Sequence, residues 1–296
     1  VSSQRRWSGP PLGRLTVIGA GQIGGSVALA ARAAGAVTEV VAWSRTREKL
    51  DRAVALGVID RAAGSAAEAA RGAGLVVLAS PVRSLGQLAA EIAPSLGAGA
   101  LVMDVGSVKA AVIAAVEPKL PAGSFVACHP VAGTERVGPD AASPLLFEGK
   151  KCVLCPSPRS AEPAVATIER LWTAMGAEPV RMDAQLHDRV LGAGSHLPHV
   201  AAYTLAATLG ALPPDVIEAM RQLPTTSLRD TTRVAASSSA MWRDIFLDNR
   251  DQVLPLIEAL AAQVEALRSA VVAGDGRRTE ELLEAGRVGR ERLVPN

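Results

Sequence analysis

The sequence predicts an α/β fold in which a Rossmann-type domain with a mostly parallel sheet is followed by an all-helical C-terminal domain. Three observations carry this reading. From Leu15, short apolar runs alternate with Ala-rich helical stretches, the pattern of repeated βαβ units. The first of these runs leads directly into Gly19-x-Gly21-x-x-Gly24. Strand signals stop near Met182, and beyond it apolar residues recur at helical spacing. At ~150 residues per domain, a chain of 296 residues has room for about two.

Taken in order, strands are expected at 15–19, 39–43, 75–79, 101–105, 125–128 and 152–155, with a last short one near 178–182. Helices should lie between them at about 22–34, 46–56, 83–95, 107–116 and 160–175. Gly35, Gly57, Gly97 and Gly176 fall where those helices stop, as residues suited to the left-handed position after a last turn. Within 253–273, Val253, Leu256, Ile257, Leu260, Val264, Leu267 and Val271 form a stripe of the kind that packs against other helices. The implied organisation is a loose tail over 1–13, an α/β domain over 14–183 and a helical domain over 184–296.

Composition narrows the function. A net charge of +2 from 31 basic and 29 acidic residues gives no basic excess to draw the chain onto nucleic acid or anionic lipid, and 3% aromatics offer little surface for stacking bases. The longest stretch without a charged residue, 190–214, is interrupted by His196, Pro198, His199, Pro213 and Pro214, which suits a helix buried between protein surfaces better than one in a bilayer. Residues 1–13 lack the apolar core of a signal peptide. Three cysteines cannot form a disulfide framework, and a reducing, cytoplasmic location is expected. Cys152 and Cys155 alternate with apolar neighbours as in a buried strand, and four histidines without carboxylates at ligand spacing make no case for a metal.

The glycine motif has a strand before it and a helix after it, the setting that a dinucleotide site requires. Gly19 permits the tight turn, Gly21 lets the backbone approach a pyrophosphate, and Gly24 lets helix and strand pack. Gln22 and Ile23 open the helix whose free N–H groups face the anion. At the tip of the second strand, where NAD-binding domains usually carry an acidic residue for the ribose, this chain has Ser44-Arg45-Thr46-Arg47. Without a carboxylate a 2′-phosphate is not repelled, Ser44 and Thr46 can donate to it, and Arg45 or Arg47 can neutralise it, so NADP is expected ahead of NAD. Ser80-Pro81 and Gly106-Ser107 follow later strands and should reach the nicotinamide half. His129 ends another strand at the same sheet edge, placed to take a proton from an alcohol as hydride leaves it.

With His129 the residues come to resemble a family, the prephenate and arogenate dehydrogenases of tyrosine biosynthesis. The likeness runs from Leu15 to about Leu267. It rests on the glycine motif and on Asp104-Val105-Gly106-Ser107-Val108-Lys109, His129-Pro130-Val131-Ala132-Gly133-Thr134-Glu135, Phe147-Glu148-Gly149-Lys150, Ser195-His196-Leu197-Pro198-His199, Arg229-Asp230-Thr231-Thr232-Arg233-Val234-Ala235 and Met241-Trp242-Arg243-Asp244. The resemblance implies oxidative decarboxylation of a cyclohexadienyl substrate carrying two carboxylates. It puts the base on His129, its orienting partner on Ser107, and substrate binding on Arg233, His199 and His196, with Thr134 and Arg229 as further candidates. His196 and His199 are three apart on one helix face, Ser195 is placed to cap that helix and Pro198 fits its first turn, so an anion should meet a helix N-terminus there. Glu135 reads as a gate or a solvated loop acid, and His187-Asp188 as a capping or salt-bridge pair.

The family reading makes 14–183 the dinucleotide-binding domain and 184–296 the substrate and dimerisation domain of a homodimer. Prephenate is the expected substrate and arogenate the close alternative. A β-hydroxyacid dehydrogenase or an imine-reducing enzyme would explain the glycine loop but not the paired histidines or Arg233, and a nonenzymatic NADP sensor would need no base. No C-terminal regulatory domain is expected after the last helix, so inhibition by tyrosine would be expected to act at the active site or at an interface.

Overall fold

The computed structural model of the chain describes residues 6–134 and 136–293. Its eight strands are β1 (Arg14–Ile18), β2 (Glu39–Trp43), β3 (Arg61–Ala62), β4 (Ala73–Leu78), β5 (Leu101–Asp104), β6 (Phe125–Pro130), β7 (Lys151–Cys155) and β8 (Glu178–Arg181). They form one sheet in the order β3-β2-β1-β4-β5-β6-β7-β8, parallel throughout except where β7 runs against β6. The first six stand in the dinucleotide-binding order, and the topological switch lies between β1 and β4. Crossover segments that bury both faces of the sheet explain why the strands read as continuous apolar runs. Leu15 and Val17 join one core with Leu75 and Val77, while Ile18, Val76 and Leu78 join the core on the opposite face.

The sheet-half helices are α1 (Gln22–Ala33), α2 (Arg47–Ala55), α3 (Ala66–Ala70), α4 (Leu85–Ile92), α5 (Ala110–Val116) and α6 (Glu162–Ala174). Neither β3 nor α3 follows from the apolar pattern. A two-residue strand and a five-residue helix are too short to show a period, and Ser65 starts α3 by accepting the Glu68 N–H. The expectation of a loose tail is corrected for its second half. Trp7 N–H donates to the Ala34 carbonyl at 3.0 Å, Leu12 N–H to that of Ala36 at 2.9 Å, and both side chains pack on the core. Residues 1–5 lie outside the described residues. Cys128, Cys152 and Cys155 are buried free thiols.

After the sheet come α7 (Ala184–Leu191), a π-helical turn over Gly192–His196, α8 (Leu197–Gly210), α9 (Pro214–Gln222), α10 (Thr226–Thr232) and α11 (Ser239–Asp248). Trp242 and Ile245 of α11 are buried in the sheet's second core, and the first compact unit accordingly runs to Asn249. The second unit, from Arg250, holds α12 (Arg250–Val272) and α13 (Gly276–Leu293), which pack on each other. The expected packed stripe on α12 is only partly realised within one chain: Val253 is buried, but Val264 and Val271 are 60% and 62% exposed. Among the described residues no single helix is long and apolar enough to cross a membrane.

Candidate active site

The glycine loop is shaped by its neighbours. Gly19 has φ +113°, and a Cβ there would lie 2.5 Å from the Ala79 carbonyl oxygen; a Cβ on Gly24 would lie 2.3 Å from that of Gly19. At Gly21 the same test finds nothing within 4 Å, and α1 has no side-chain cap. Open space over uncapped N–H groups at the switch point fits the pyrophosphate of a dinucleotide. Ser80 stands across the switch, its hydroxyl donating to the Ile18 carbonyl at 3.1 Å, and the exposed Pro81 follows. At the β2 tip Ser44 is half-buried while Arg45, Thr46 and Arg47 are exposed. Arg47 forms an ion pair with Asp51 at 2.9 Å.

Beside this loop lies a cavity of about 370 Å³ whose walls include Gln22, Ser107, His129, Thr134, His196, His199, Arg233 and Trp242. The structure thus gathers residues from β6, the loops after β1 and β5, and the helices after the sheet. Gln22 and Thr134, proposed on opposite sides of the chemistry, clasp each other: the Gln22 amide donates to Thr134 Oγ at 2.7 Å and accepts the Thr134 N–H at 3.1 Å. Arg229 is not in this wall. It is exposed on α10 and lines a separate, mainly apolar cavity with Leu209, Met220 and Leu228. Glu135 lies outside the described residues.

Two buried carboxylates brace the site. Asp104 is fully buried and accepts from Lys109 Nζ, from Gly106 N–H at 2.8 Å and from Cys128 N–H at 3.0 Å, while Lys109 Nζ also donates to the Cys128 carbonyl at 2.6 Å. This cluster ties the loop that carries Ser107 to the strand that carries His129. Asp188 is the second. It accepts Lys109 N–H at 2.8 Å and Ala110 N–H at 2.9 Å, capping α5, and His187 Nδ1 lies 2.8 Å from it. Burial would raise the Asp188 pKa, but the hydrogen bonds from His187, Ala110 and Lys109 more than reverse it.

The partner of His129 differs from the one expected. Its Nδ1 lies 2.8 Å from Nε2 of the fully buried His187, so His187, rather than Ser107, fixes the imidazole, while Ser107 shares the cavity wall. The His187-Asp188 pair caps a helix, as the sequence suggested, and is joined by a hydrogen bond at 2.8 Å, but it also continues to His129 across 58 residues. No local signal reveals that. Burial, with His187, Lys109 and His196 nearby, holds the His129 pKa well below the ordinary imidazole value.

The helix N-terminus expected at Ser195 is absent. The helix runs on from α7 through the π turn into α8, so Ser195 caps nothing; instead its carbonyl accepts His199 Nδ1–H at 2.8 Å. Gly192 and Gly194 favour such a bulge, a feature that often marks a functional segment. His196 is oriented by Asn249, whose amide donates to its Nδ1 at 3.0 Å and to the Asp188 carbonyl at 2.8 Å. The lone pair is thereby engaged and Nε2 keeps the proton, a neutral donor. Burial pushes the His196 pKa down to about 4 despite Asp188. His199 stacks on Trp242 with centroids 3.5 Å apart, and Arg233 on the helical side of the cavity is exposed. Burial and the Arg233 charge lower the His199 pKa against the pull of the Ser195 carbonyl.

A 3-2-1-4-5-6 sheet with an uncapped glycine loop at its switch point, and a buried imidazole in the adjoining cavity, defines a Rossmann-type nicotinamide-dependent oxidoreductase. Comparison with known proteins narrows the class. The family described as prephenate dehydrogenase, nucleotide-binding domain, matches residues 27–181, and prephenate dehydrogenase, dimerization domain, matches 183–285. A cyclohexadienyl dehydrogenase of Zymomonas mobilis is 37% identical over 88% of this chain and 89% of its own, and a prephenate dehydrogenase of Bacillus subtilis is 32% identical over 87% and 70%. The crystal structure of prephenate dehydrogenase from A. aeolicus in complex with hydroxyphenyl propionate and NAD+ superposes with a TM-score of 0.83 at 32% identity, covering 95% of this chain and 98% of that one. The chain belongs to the prephenate dehydrogenase family.

Proposed function

We propose that the protein catalyses the oxidative decarboxylation of prephenate to 4-hydroxyphenylpyruvate, with NADP preferred over NAD, as a cytoplasmic homodimer. The observation that carries this is one cavity in which a neutral, buried imidazole, an arginine and two further histidines stand beside an open dinucleotide loop. The bound nicotinamide supplies the hydride acceptor. His129 takes the proton of the ring hydroxyl as the carbon bearing it loses hydride, and the ring carboxylate leaves as CO2 while the ring becomes aromatic. Arg233 and His199 hold the carboxylate ends, and His196 offers an N–H to a substrate oxygen. The domain roles follow: residues 14–183 bind the dinucleotide, and the helices from 184 complete the substrate site and form the dimer. Exposed Leu254, Val264, Val271, Val272 and Leu283 on α12 and α13 support a second copy as the cover for those helices.

Initial rates with prephenate and with arogenate, each with NAD and NADP, test the reading. The highest kcat/KM is expected for prephenate with NADP. Turnover of arogenate alone would move the assignment to the arogenate reaction, and turnover of neither would remove it.

Cofactor preference rests on the β2 tip. Ser44→Asp combined with Arg45→Ala introduces a carboxylate where a 2′-phosphate would sit and removes the nearby cation, so the KM for NADP should rise at least about tenfold more than that for NAD. An unchanged ratio of the two constants would sink the preference.

A further inference from the structure

His129 can serve as a base only if the nitrogen facing substrate carries a lone pair, and an imidazole chooses between two tautomers. The choice is set by whatever the other nitrogen bonds to. In this fold that partner is His187, and the hydrogen bonds around it can be followed back to a group with no proton to give. The ionised Asp188 only accepts: Oδ1 takes Lys109 N–H, Oδ2 takes Ala110 N–H, and His187 Nδ1 lies 2.8 Å from Oδ1. Nδ1 of His187 must therefore be the protonated nitrogen. A neutral His187 then presents a lone pair at Nε2, and His129 Nδ1, 2.8 Å away, must donate to it. That leaves the lone pair of His129 on Nε2. All three side chains are buried, so water offers no competing partner.

We infer that His187, held by Asp188, is a positioning residue that imposes on His129 the tautomer able to accept the substrate proton. The inference rests on His129 being the base of the proposed reaction. It also assigns a course to the charge. When His129 Nε2 takes the hydroxyl proton, the imidazolium keeps Nδ1–H directed at the His187 lone pair, and the fixed Asp188 carboxylate beyond His187 stabilises the cation without itself taking a proton. Other charged or titratable groups near the base are Lys109 and Asp104 behind it, His196 on the helical side and Arg233 across the cavity. None of them hydrogen-bonds to Nδ1.

Two measurements test this. The chain has four histidines, so 15N-histidine labelling with long-range proton–nitrogen correlation, assigned by single His→Asn variants, reads each tautomer directly. The expected spectrum at neutral pH shows neutral His129 protonated at Nδ1 and neutral His187 likewise. A doubly protonated His187 facing a His129 protonated at Nε2 would overturn the proposal, and this reading needs no substrate and no variant of His187. In the second measurement, His187→Phe keeps a ring in place but removes the acceptor, and kcat should fall about tenfold while the prephenate KM and NADP affinity stay within about twofold. His187→Gln, which restores an oxygen acceptor near the Nε2 position, should recover most of that loss. A His187→Phe enzyme that folds with unchanged kcat would overturn the role; if it does not fold, the wild-type spectrum decides. Should the wild type turn over neither prephenate nor arogenate while His129 shows the expected tautomer, the proposed reaction fails and the tautomer assignment stands.

Discussion

Replacing His129 by Asn is expected to lower kcat by 10²-fold or more while leaving NADP affinity nearly unchanged. Loss of a positioned general base costs roughly 10²- to 10⁴-fold, and Asn offers no basic nitrogen. The cofactor loop is formed by β1, α1 and the segment after β4, none of which relies on the imidazole. The pH dependence of the parent enzyme carries a matching sign. Burial first, then His187, Lys109 and His196, disfavour the imidazolium and place the His129 pKa well below its ordinary value. A base is active when unprotonated, so kcat/KM should be flat through neutrality and fall only at a pH clearly below about 6.5, the unperturbed imidazole value. An acid limb at or above that value, or substantial turnover by the Asn variant with prephenate, would place the base elsewhere.

Replacing Arg233 by Ala should weaken prephenate binding by about 30-fold or more. An arginine that grips a carboxylate by two parallel hydrogen bonds contributes on the order of 2–5 kcal/mol when the pair is desolvated. Arg233 is exposed in the fold, and solvent screening argues for the lower end, about 2 kcal/mol, which corresponds to that fold-change. Arg233→Lys should be intermediate, since it keeps the charge and loses the fork. NADP binding, followed by calorimetry, should not move, because the pyrophosphate site lies on the glycine loop. If affinity for prephenate and for NADP fell together with the thermal midpoint, Arg233 would be a brace of the fold rather than a substrate contact.

Both experiments address residues that local sequence brought forward, and the reason is the chemistry of position. His129 follows an apolar run and therefore ends a strand at the edge where ligands bind, and the glycines announce a turn that tolerates no side chain. The braces behind them were only half legible. Asp104 and Lys109 stand in a quoted motif, yet their burial as a pair, which joins β5 to β6, shows only when the strands are adjacent. Asn249 carried no signal at all, being one polar residue at a helix end, although it orients His196 from 53 positions away. Arg229 shows the converse: inclusion in a motif suggested a shared role, but the fold places it at a different cavity.

What the sequence by itself determined is whatever local pattern governs: the order of the longer strands and helices, the glycine loop, the absence of a carboxylate at the β2 tip, and the histidine at the end of β6. Periodicity and backbone freedom are properties of neighbouring residues, and they can be read along the chain. Tertiary structure alone decided that His129 Nδ1 bonds to His187, that the helix passes through Ser195 without a break, and that a two-residue β3 completes the sheet edge. A hydrogen bond between residues 58 positions apart depends on how helices dock onto the sheet, and that docking is settled by side-chain packing and burial over both faces of the sheet, which no local stretch of sequence contains.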